Sequence, residues 1–183
     1  THPNEEEQMA RIHTCLLNDF PNLLTISAPR HPERRDEIKQ TFERAGLTVS
    51  VRSRGEPLTD ETQVYLADTL GEMGLIYRLA PIVFVGGSLV PFGGQNMLEP
   101  MRLGRAVFIG PHAFNFRDIV RNAKADSALV EVPDETILAD GIRNLLTHPE
   151  RGVILGARAE KFACAEMAVL DRVCNVLNER GLI

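Results

Sequence analysis

The sequence predicts an α/β fold, a Rossmann-like parallel sheet with helices on both faces. Helical and strand-like segments alternate along the chain, and the strand segments are short, almost continuous apolar runs. Strands of that composition are buried on both faces, which is typical of parallel sheets. The 183 residues are 44% hydrophobic, enough for one core, so we expect one domain over 1–183.

Four elements are expected before residue 53. Apolar residues such as Ile12 and Leu16 recur at helical spacing in the first, and Asn4 with Glu7 has the spacing of a capping box. The strand segments at 23–28 and 49–52 are short apolar or alternating runs, and Gly46 ends the helix between them. These elements are a helix over 5–19, a strand over 23–28, a helix over 33–45 and an edge strand over 49–52.

The middle of the chain continues the alternation. Thr69 and Glu72 form a second capping-box pattern ahead of a helix, and the strand after that helix is uninterrupted apolar sequence. That strand leads directly into a glycine-rich loop. The predicted elements are a polar loop over 54–62, strands over 64–67 and 82–85, a helix over 72–80 and a short helix ending at 103.

The last third ends in a long helix over about 150–180, for which Thr147 and Glu150 have cap spacing. Before it we expect strands over 106–109 and 128–130 and helices over 117–125 and 135–146. An apolar stripe on the last helix is interpreted as a docking face, on this domain or on a partner. The stripe consists of Phe162, Val169, Leu170, Val173 and Leu177.

The charge balance excludes some partners. A net charge of −5 and a pI near 5.6 argue against a nucleic-acid surface. Arginines nevertheless cluster at Arg30, Arg34 and Arg35 and at Arg52 and Arg54, which suits a small anionic ligand. For Arg34 and Arg35 a solvated helix face is the alternative.

Cysteine and histidine usage indicates an intracellular protein without a structural metal. Cys15, Cys164 and Cys174 are widely spaced and form no CxxC pair, so we interpret them as reduced core thiols of a cytosolic protein. None of the 5 histidines is paired at metal-ligand spacing. No apolar run approaches the ~18 residues of a membrane span, and no signal peptide is expected.

Two Gly-Gly pairs follow the strand at 82–85, at Gly86 and Gly87 and at Gly93 and Gly94. Glycines placed this way let the backbone approach a ligand and point its N–H groups at an anion. A tight turn that needs positive φ is the alternative. In open parallel sheets, ligands bind beyond the carboxyl ends of the strands, where this loop is expected.

Two further segments follow strands and open helices. Arg30 lies in a loop stiffened by Pro29 and Pro32 and could pair bidentately with a phosphate, or form a local ion pair. His31 could bind a ligand or stabilise the turn. The N–H groups of the helix start at 71–73 could meet a base or sugar edge, although capping explains Glu72 equally well.

For the helix after the glycine loop, helix capping and ligand binding are again both open. Asn96 and Glu99 have the spacing of a cap and its partner. Pro100 favours the first helical position, which would leave Glu99 outside the helix and free for ribose hydroxyls. Segment 110–116 lies at the same predicted edge, and we interpret its aromatic residues as core or lid packing.

Five segments together resemble one family, the 3-deoxy-D-manno-octulosonic acid (Kdo) transferases of lipopolysaccharide assembly. They are PRHPER at 29–34, DTLGEM at 68–73, GGSLV at 86–90, GGQNMLEP at 93–100 and GPHAFNF at 110–116. The resemblance implies a GT-B enzyme of two Rossmann-like lobes that moves Kdo from CMP-Kdo to a lipid A precursor. The chain resembles only the carboxyl-terminal, donor-binding lobe.

The resemblance also implies a set of contacts. CMP-Kdo is expected on Pro29, Arg30, Gly71, Glu72, Met73, Asn96, Met97, Leu98 and Glu99, with His31, Gly87, Ser88, Gly93, Gly94 and Gln95 as further candidates. The catalytic glutamate, the acceptor surface and the attachment to the cytoplasmic face of the bacterial inner membrane are expected in the amino-terminal lobe. No cofactor or metal is expected, and this lobe alone should bind the donor without turnover.

The chain departs from the family pattern in two ways. Gln95 stands where the family usually has histidine, which puts any proton-carrying role of that side chain in doubt. Family members also have an apolar strand immediately before the segment that matches Thr1 and His2. We therefore expect the sheet of residues 1–183 to lack a central strand. Either self-association fills that gap, or the strand lies outside these residues.

Two other function classes are open. The chain could be a non-catalytic nucleotide-binding or assembly module whose final helix serves a protein partner; stable oligomers would favour this. It could also be a nucleotide-sugar epimerase of similar fold, which would need a catalytic carboxylate within this lobe.

Overall fold

A computed structural model describes the backbone of residues 1–179 and the side chains of residues 1–167, and it confirms the α/β prediction. The strands are β1 Thr25–Ser27, β2 Val49–Val51, β3 Val64–Leu66, β4 Ile82–Val85, β5 Ala106–Ile109 and β6 Val130–Glu131. The helices are α1 Glu5–Leu17, α2 Arg35–Arg44, α3 Met73–Leu79, α4 Leu98–Arg102, α5 Arg117–Ala125, α6 Glu135–Thr147 and α7 Pro149–Glu179. Short 3₁₀ turns lie at Pro32–Arg34, Arg52–Arg54 and Phe114–Phe116.

The strands form two parallel three-stranded sheets in the orders β1-β3-β2 and β4-β5-β6. In the first, Ser27 lies beside Leu66 and Leu66 beside Val51. The prediction that the strand at Val49–Val51 is an edge strand is confirmed. Within residues 1–179, no strand pairing joins one sheet to the other, so the expected interruption lies between β1 and β4.

The backbone at Thr1 lies at this interruption. The Thr1 nitrogen donates to the Ala28 carbonyl over 2.9 Å, and the Arg30 N–H donates to the Thr1 carbonyl over 3.1 Å. This alternation is the hydrogen-bond pattern of parallel strands, with Thr1 opposite Pro29. On the other side, a Cβ added to Gly86 would lie 3.1 Å from the Thr1 Cα. Thr1 therefore links the carboxyl ends of β1 and β4.

Helices cover both faces of the sheet β4-β5-β6. Val107 and Ile109 of β5 pack with buried side chains of α4, α5 and α7, among them Phe162. Phe108 points the other way and packs with Leu16 of α1 and Leu138 of α6. This alternation follows from the two-residue period of a strand, and it buries apolar surface on both faces.

Helix α1 holds the two sheets together. Its Ala10 packs into the core formed by α2 and the sheet β1-β3-β2, beside Ile38 and Phe42. Ile12 and Leu16, further along the same helix, belong to the core under Phe108. One amphipathic helix therefore contributes to both cores.

The predicted capping boxes are wrong. Asn4 adopts a left-handed conformation with φ of 70° and makes no side-chain cap to α1. The Thr69 hydroxyl bonds the Glu72 carboxylate, and neither side chain caps the backbone of α3. The cap that does form is at α6, where Asp134 Oδ1 accepts from the Ile137 N–H over 2.9 Å.

Three other predictions need correction. The helix expected over 33–45 begins as a 3₁₀ turn, and the strand expected over 128–130 lies at Val130–Glu131. Cys15 and Cys164 are exposed, so the prediction that they are core thiols is wrong. Both occupy the helix faces opposite the buried residues of α1 and α7.

The final helix exists as predicted, over Pro149–Glu179. Phe162 of the predicted stripe is buried in the core of its own domain. The side chains of the other stripe residues, Val169, Leu170, Val173 and Leu177, lie outside the described residues. Through Glu179, none of the helices combines the length and apolar character that crossing a membrane requires.

Candidate functional site

The candidate site is the rim at the carboxyl ends of the strands. Segment 28–34 follows β1, segment 67–72 follows β3, segment 86–97 follows β4 and segment 110–116 follows β5. Parallel pairing brings the first two together within one sheet and the last two within the other. The contacts of Thr1 with Ala28 and Gly86 join both pairs into one edge.

Arg30 presents a free cation on this rim. Its side chain is exposed and makes no hydrogen bond or ion pair with any residue that the structure describes, while Pro29 beneath it is buried. The Arg30 N–H is fixed on the Thr1 carbonyl, so the backbone that carries the guanidinium is held in place. The alternative of a local ion pair for Arg30 is not observed.

The other clustered arginines are paired with protein carboxylates. Arg34 lies 3.2 Å from the buried Glu6 and 2.8 Å from Glu37, so it is not simply a solvated side chain. Arg35 approaches the buried Asp68, and Arg54 pairs with Asp36. The local positive charge expected from the sequence is thus largely neutralised within the protein, except at Arg30.

Glu72 is held by an arginine from a neighbouring loop. Arg52 Nε and Nη2 donate to the two Glu72 carboxylate oxygens over 2.5 Å each, and Arg52 Nη1 donates to the Tyr65 hydroxyl. This bidentate pair and the Thr69 hydroxyl lower the pKa of Glu72 to about 2, and the bonds to Glu72 and then to Tyr65 raise the pKa of Arg52. Gly71 turns the backbone of this segment through a φ of +82°, and a Cβ there would meet nothing within 4 Å.

The segment before α4 divides its residues between core and solvent. Met97 is fully buried in the core, and Leu98 packs partly against it. Asn96 Oδ1 accepts from the Leu98 N–H over 3.0 Å, so Asn96 has a local capping contact although no capping box with Glu99 forms. A ligand could therefore meet Met97 only through its backbone.

Glu99 is exposed although it lies inside a helix. The helix begins at Leu98 and not at Pro100 as expected; Pro100 fits at its third position because the first four N–H groups of a helix need no partner. Burial, and then the charge of Glu99, raise the pKa of Tyr77 to about 12. The carboxylate of Glu99 is therefore close enough to Tyr77 of α3 for its charge to act on that side chain.

The glycine loop does point N–H groups at an anion, but the anion is a protein carboxylate. Glu5 Oε2 accepts from the N–H groups of Gly87 and His2, over 2.8 and 3.2 Å. Its Oε1 accepts from the N–H groups of Ser88 and Leu89, over 3.1 and 3.3 Å. Glu5 is fully buried, so these amides are not free to bind a donor phosphate.

The rest of the loop is closed on itself. The Ser88 hydroxyl donates to the Val85 carbonyl and accepts from the Gly110 N–H, and a Cβ on Gly110 would lie 2.3 Å from the Ser88 carbonyl oxygen. The Gly94 N–H donates to the Gly87 carbonyl over 2.8 Å. The tight turn predicted as an alternative is therefore present, with positive φ at Gly87, Gly93 and Gly94.

His2 is the rim residue that sequence reasoning missed. Its imidazole is 8% exposed, stacks on Phe92 at 4.4 Å and lies edge-on to His31 at 6.4 Å. The amide nitrogen of Gln95 lies 2.9 Å from its Nε2. No periodic element precedes His2 in the sequence, so nothing there indicated which side of the fold it faces. In the part of the chain that the structure describes, no cluster of His, Cys, Asp or Glu could hold a metal ion.

Curated relatives match almost the whole chain. A 3-deoxy-D-manno-octulosonic acid transferase of Haemophilus influenzae is 35% identical over 178 residues, which is 97% of this chain and 42% of the relative. One from Bordetella pertussis is 37% identical over 161 residues, 87% of this chain and 37% of the relative. The chain thus spans about two fifths of the length of these relatives. No family model matches the chain.

A solved structure matches as well. The C-terminal CMP-Kdo binding domain of WaaA from Acinetobacter baumannii is 40% identical and superposes with a TM-score of 0.84. The match covers 88% of this chain and 84% of that domain. At this identity and coverage the likeness extends to sequence and fold together.

Proposed function

This chain belongs to the 3-deoxy-D-manno-octulosonic acid (Kdo) transferase family, and on that premise we propose that it is the donor lobe of such an enzyme. It would bind CMP-Kdo, from which the complete enzyme moves Kdo onto a lipid A precursor. The observation that carries the proposal is the 40% identity, over 84% of its length, to a domain whose solved structure is described as CMP-Kdo binding. An exposed rim with a free guanidinium at Arg30 agrees with an anionic ligand.

Each rim residue would contact a different part of the donor. Arg30 would pair with the phosphate, for which its planar fork is suited. Glu99 would accept hydrogen bonds from the ribose hydroxyls, and the backbone of segment 71–73 would meet the cytosine edge. Segment 96–98 would contribute backbone beside the ribose, because the Met97 side chain is buried in the core.

The chemistry of the complete enzyme requires a second lobe. A base there would remove the proton of the acceptor hydroxyl as its oxygen forms a bond to the anomeric carbon of Kdo. The bond from that carbon to the phosphate oxygen breaks, and CMP leaves with added negative charge. Arg30, held in place before the reaction, would stabilise that charge and so lower the barrier.

The acceptor and the cellular location belong to the same proposal. The chain covers 42% of the Haemophilus influenzae relative, so the remaining length can supply the lobe that meets the lipid A precursor. Such an enzyme would work at the cytoplasmic face of the inner membrane, where it meets a lipid acceptor and a soluble nucleotide sugar. Transfer assays with the full-length protein and with this chain alone test the division: only the full-length protein should turn over.

Titration of this chain with CMP, by calorimetry or NMR, tests the donor site. Arg30→Ala and Glu99→Ala should each weaken binding by roughly 1–3 kcal/mol, the scale of a lost charge-assisted hydrogen bond. Arg151→Ala is the matched control, because Arg151 bonds Asn144 far along the chain from the rim segments. Affinity that stays the same in both rim variants would refute the site.

A further inference from the structure

His2 lies where two segments of the proposed donor site meet. The carbonyl of the preceding residue, Thr1, receives the N–H of Arg30, and the His2 ring lies edge-on to His31. On its other side the ring contacts Phe92 and Gln95, just ahead of segment 96–99. It is therefore the residue through which the 29–31 loop and the glycine loop touch.

The imidazole is fixed on three sides. One face stacks on Phe92 with 15° between the planes. The backbone of Gly87 lies against the ring so closely that a Cβ there would be 2.9 Å from the His2 Cδ2. The third contact is the Gln95 amide nitrogen, 2.9 Å from Nε2. Such a ring has one orientation, which leaves a single ring nitrogen uncommitted.

The Gln95 contact decides where the ring proton sits. With the Gln95 amide nitrogen facing the ring, as here, that nitrogen donates, Nε2 of His2 accepts, and the ring proton is assigned to Nδ1. The Nδ1 atom makes no hydrogen bond to residues 1–167, and it remains accessible to solvent. Burial lowers the pKa of His2, which favours the neutral ring near pH 7.

The glycine loop leaves few backbone donors for the proposed phosphate site. The amides of Gly87, Ser88 and Leu89 are all taken by Glu5, so the glycine loop cannot supply them. Arg30 supplies an exposed cation on the rim that pairs with none of the residues that the structure describes. A free, pre-oriented N–H beside the Arg30 backbone is what an anion would need in addition.

We propose that the Nδ1–H of His2 donates a hydrogen bond to the phosphate of the nucleotide donor, and that Gln95 is the positioning residue that keeps the proton on Nδ1. This inference rests on the proposed function, because it names a further contact in the same donor site. It also gives Gln95 a role that needs no proton transfer through its own side chain.

Binding of CMP and of cytidine, which lacks the phosphate, separates this contact from a structural role. His2→Phe keeps the stacking on Phe92 and should weaken CMP binding roughly 10- to 100-fold while cytidine affinity changes little. His2→Asn, whose amide can place an N–H near the Nδ1 position, should recover most of the loss. His148→Phe, on a half-buried histidine at the end of α6, is the control. Equal losses for CMP and cytidine, or none for CMP, overturn the proposal.

Nitrogen-15 NMR of the unsubstituted protein tests it without a variant that could misfold. The spectrum should show His2 as the neutral Nδ1–H tautomer, and CMP should shift Nδ1 far more than cytidine does. Gln95→Met should redistribute the proton between the two nitrogens and weaken CMP binding, whereas Gln95→Asn, a shortened amide, serves for comparison. If CMP binds in an Arg30-dependent way and Nδ1 does not respond, this inference fails and the donor site stands. If CMP does not bind at all, the proposed function itself fails.

Discussion

Single side chains decide what the glycine loop can do. Its N–H groups converge as the sequence suggested, yet Glu5 occupies them from 82 residues away along the chain. Arg30 could be predicted from its own loop, because the prolines beside it restrict the backbone. Glu5 could not, because nothing local indicates which distant backbone a helix-terminal carboxylate will meet.

Removing the Glu5 carboxylate should be costly. Glu5→Ala leaves four N–H groups without an acceptor, the buried ones of His2, Gly87 and Ser88 and the partly buried one of Leu89. We expect the free energy of unfolding to fall by about 3 kcal/mol or more, measured by urea denaturation. Glu7→Ala, on an exposed residue in the same turn, should change it by less than about 0.5 kcal/mol. Similar small changes in both variants would contradict this account.

His13 should make stability depend on pH. Burial lowers its pKa from 6.5 to about 4, while its Nδ1 lies 2.7 Å from the Thr25 hydroxyl. Between these values the unfolded chain binds a proton that the folded chain does not, so stability is complete above pH 6.5 and falls as the pH drops towards 4.

Urea titrations at pH 7.5 and 5 measure this difference, which His13→Gln should reduce and His148→Gln should leave unchanged. The lowered pKa of Glu72 affects stability only at lower pH, between its ordinary 4.5 and about 2. It therefore does not contribute to the difference between pH 7.5 and pH 5. An unaltered pH difference in the His13 variant would show that another group is responsible.

At the scale of elements, the strands were predicted better than the helix ends. Both bounds of the strands at 82–85 and 106–109 were predicted correctly, because glycine follows each of these apolar runs directly. The caps at Asn4 and Thr69 failed because spacing alone does not fix backbone conformation. Asn4 takes a left-handed φ, and the Thr69 hydroxyl bonds a carboxylate that Arg52 also holds.

The contact of α7 with the turn that follows α4 depends on one small residue. A Cβ added to Gly156 would lie 2.1 Å from the Gly104 carbonyl oxygen, while a Cβ on Gly152, one turn earlier in α7, would meet nothing within 4 Å. Gly156→Ala should destabilise the protein by about 1–3 kcal/mol through overpacking, measured by thermal or urea unfolding. Gly152→Ala should stabilise it by up to about 1 kcal/mol, the gain in helix propensity. Equal effects at both positions would mean that α7 is not in close contact here.

At the scale of the molecule, two small sheets are held as one body by α1 and the backbone of Thr1. The sequence predicted one parallel sheet with a gap, and the gap's position could be located only once the pairings of β1 and β4 were known. Pairing between strands far apart in sequence leaves no local pattern, since each strand is apolar whichever neighbour it has.

Hydrogen exchange should reveal this division. Strands β3 and β5 are paired on both sides, whereas β1 and β4 are each paired on one. We expect the amides of Val64–Leu66 and Ala106–Ile109 to exchange most slowly, and those of Ile82–Val85 to exchange faster although their side chains are largely buried. Equal protection of β4 and β5, followed by NMR or mass spectrometry, would indicate that the gap is closed in solution.

The ladder contacts of Thr1 set the register that any residues ahead of it would take beside β1. Because Thr1 stands opposite Pro29, a residue placed two positions ahead of it would run beside Ser27, and one placed four ahead beside Thr25. A hydrophilic purification tag fused directly to Thr1 would place polar groups between the apolar strands β1 and β4. A short spacer of aliphatic, β-branched residues should instead pack between these strands and raise the yield of folded protein.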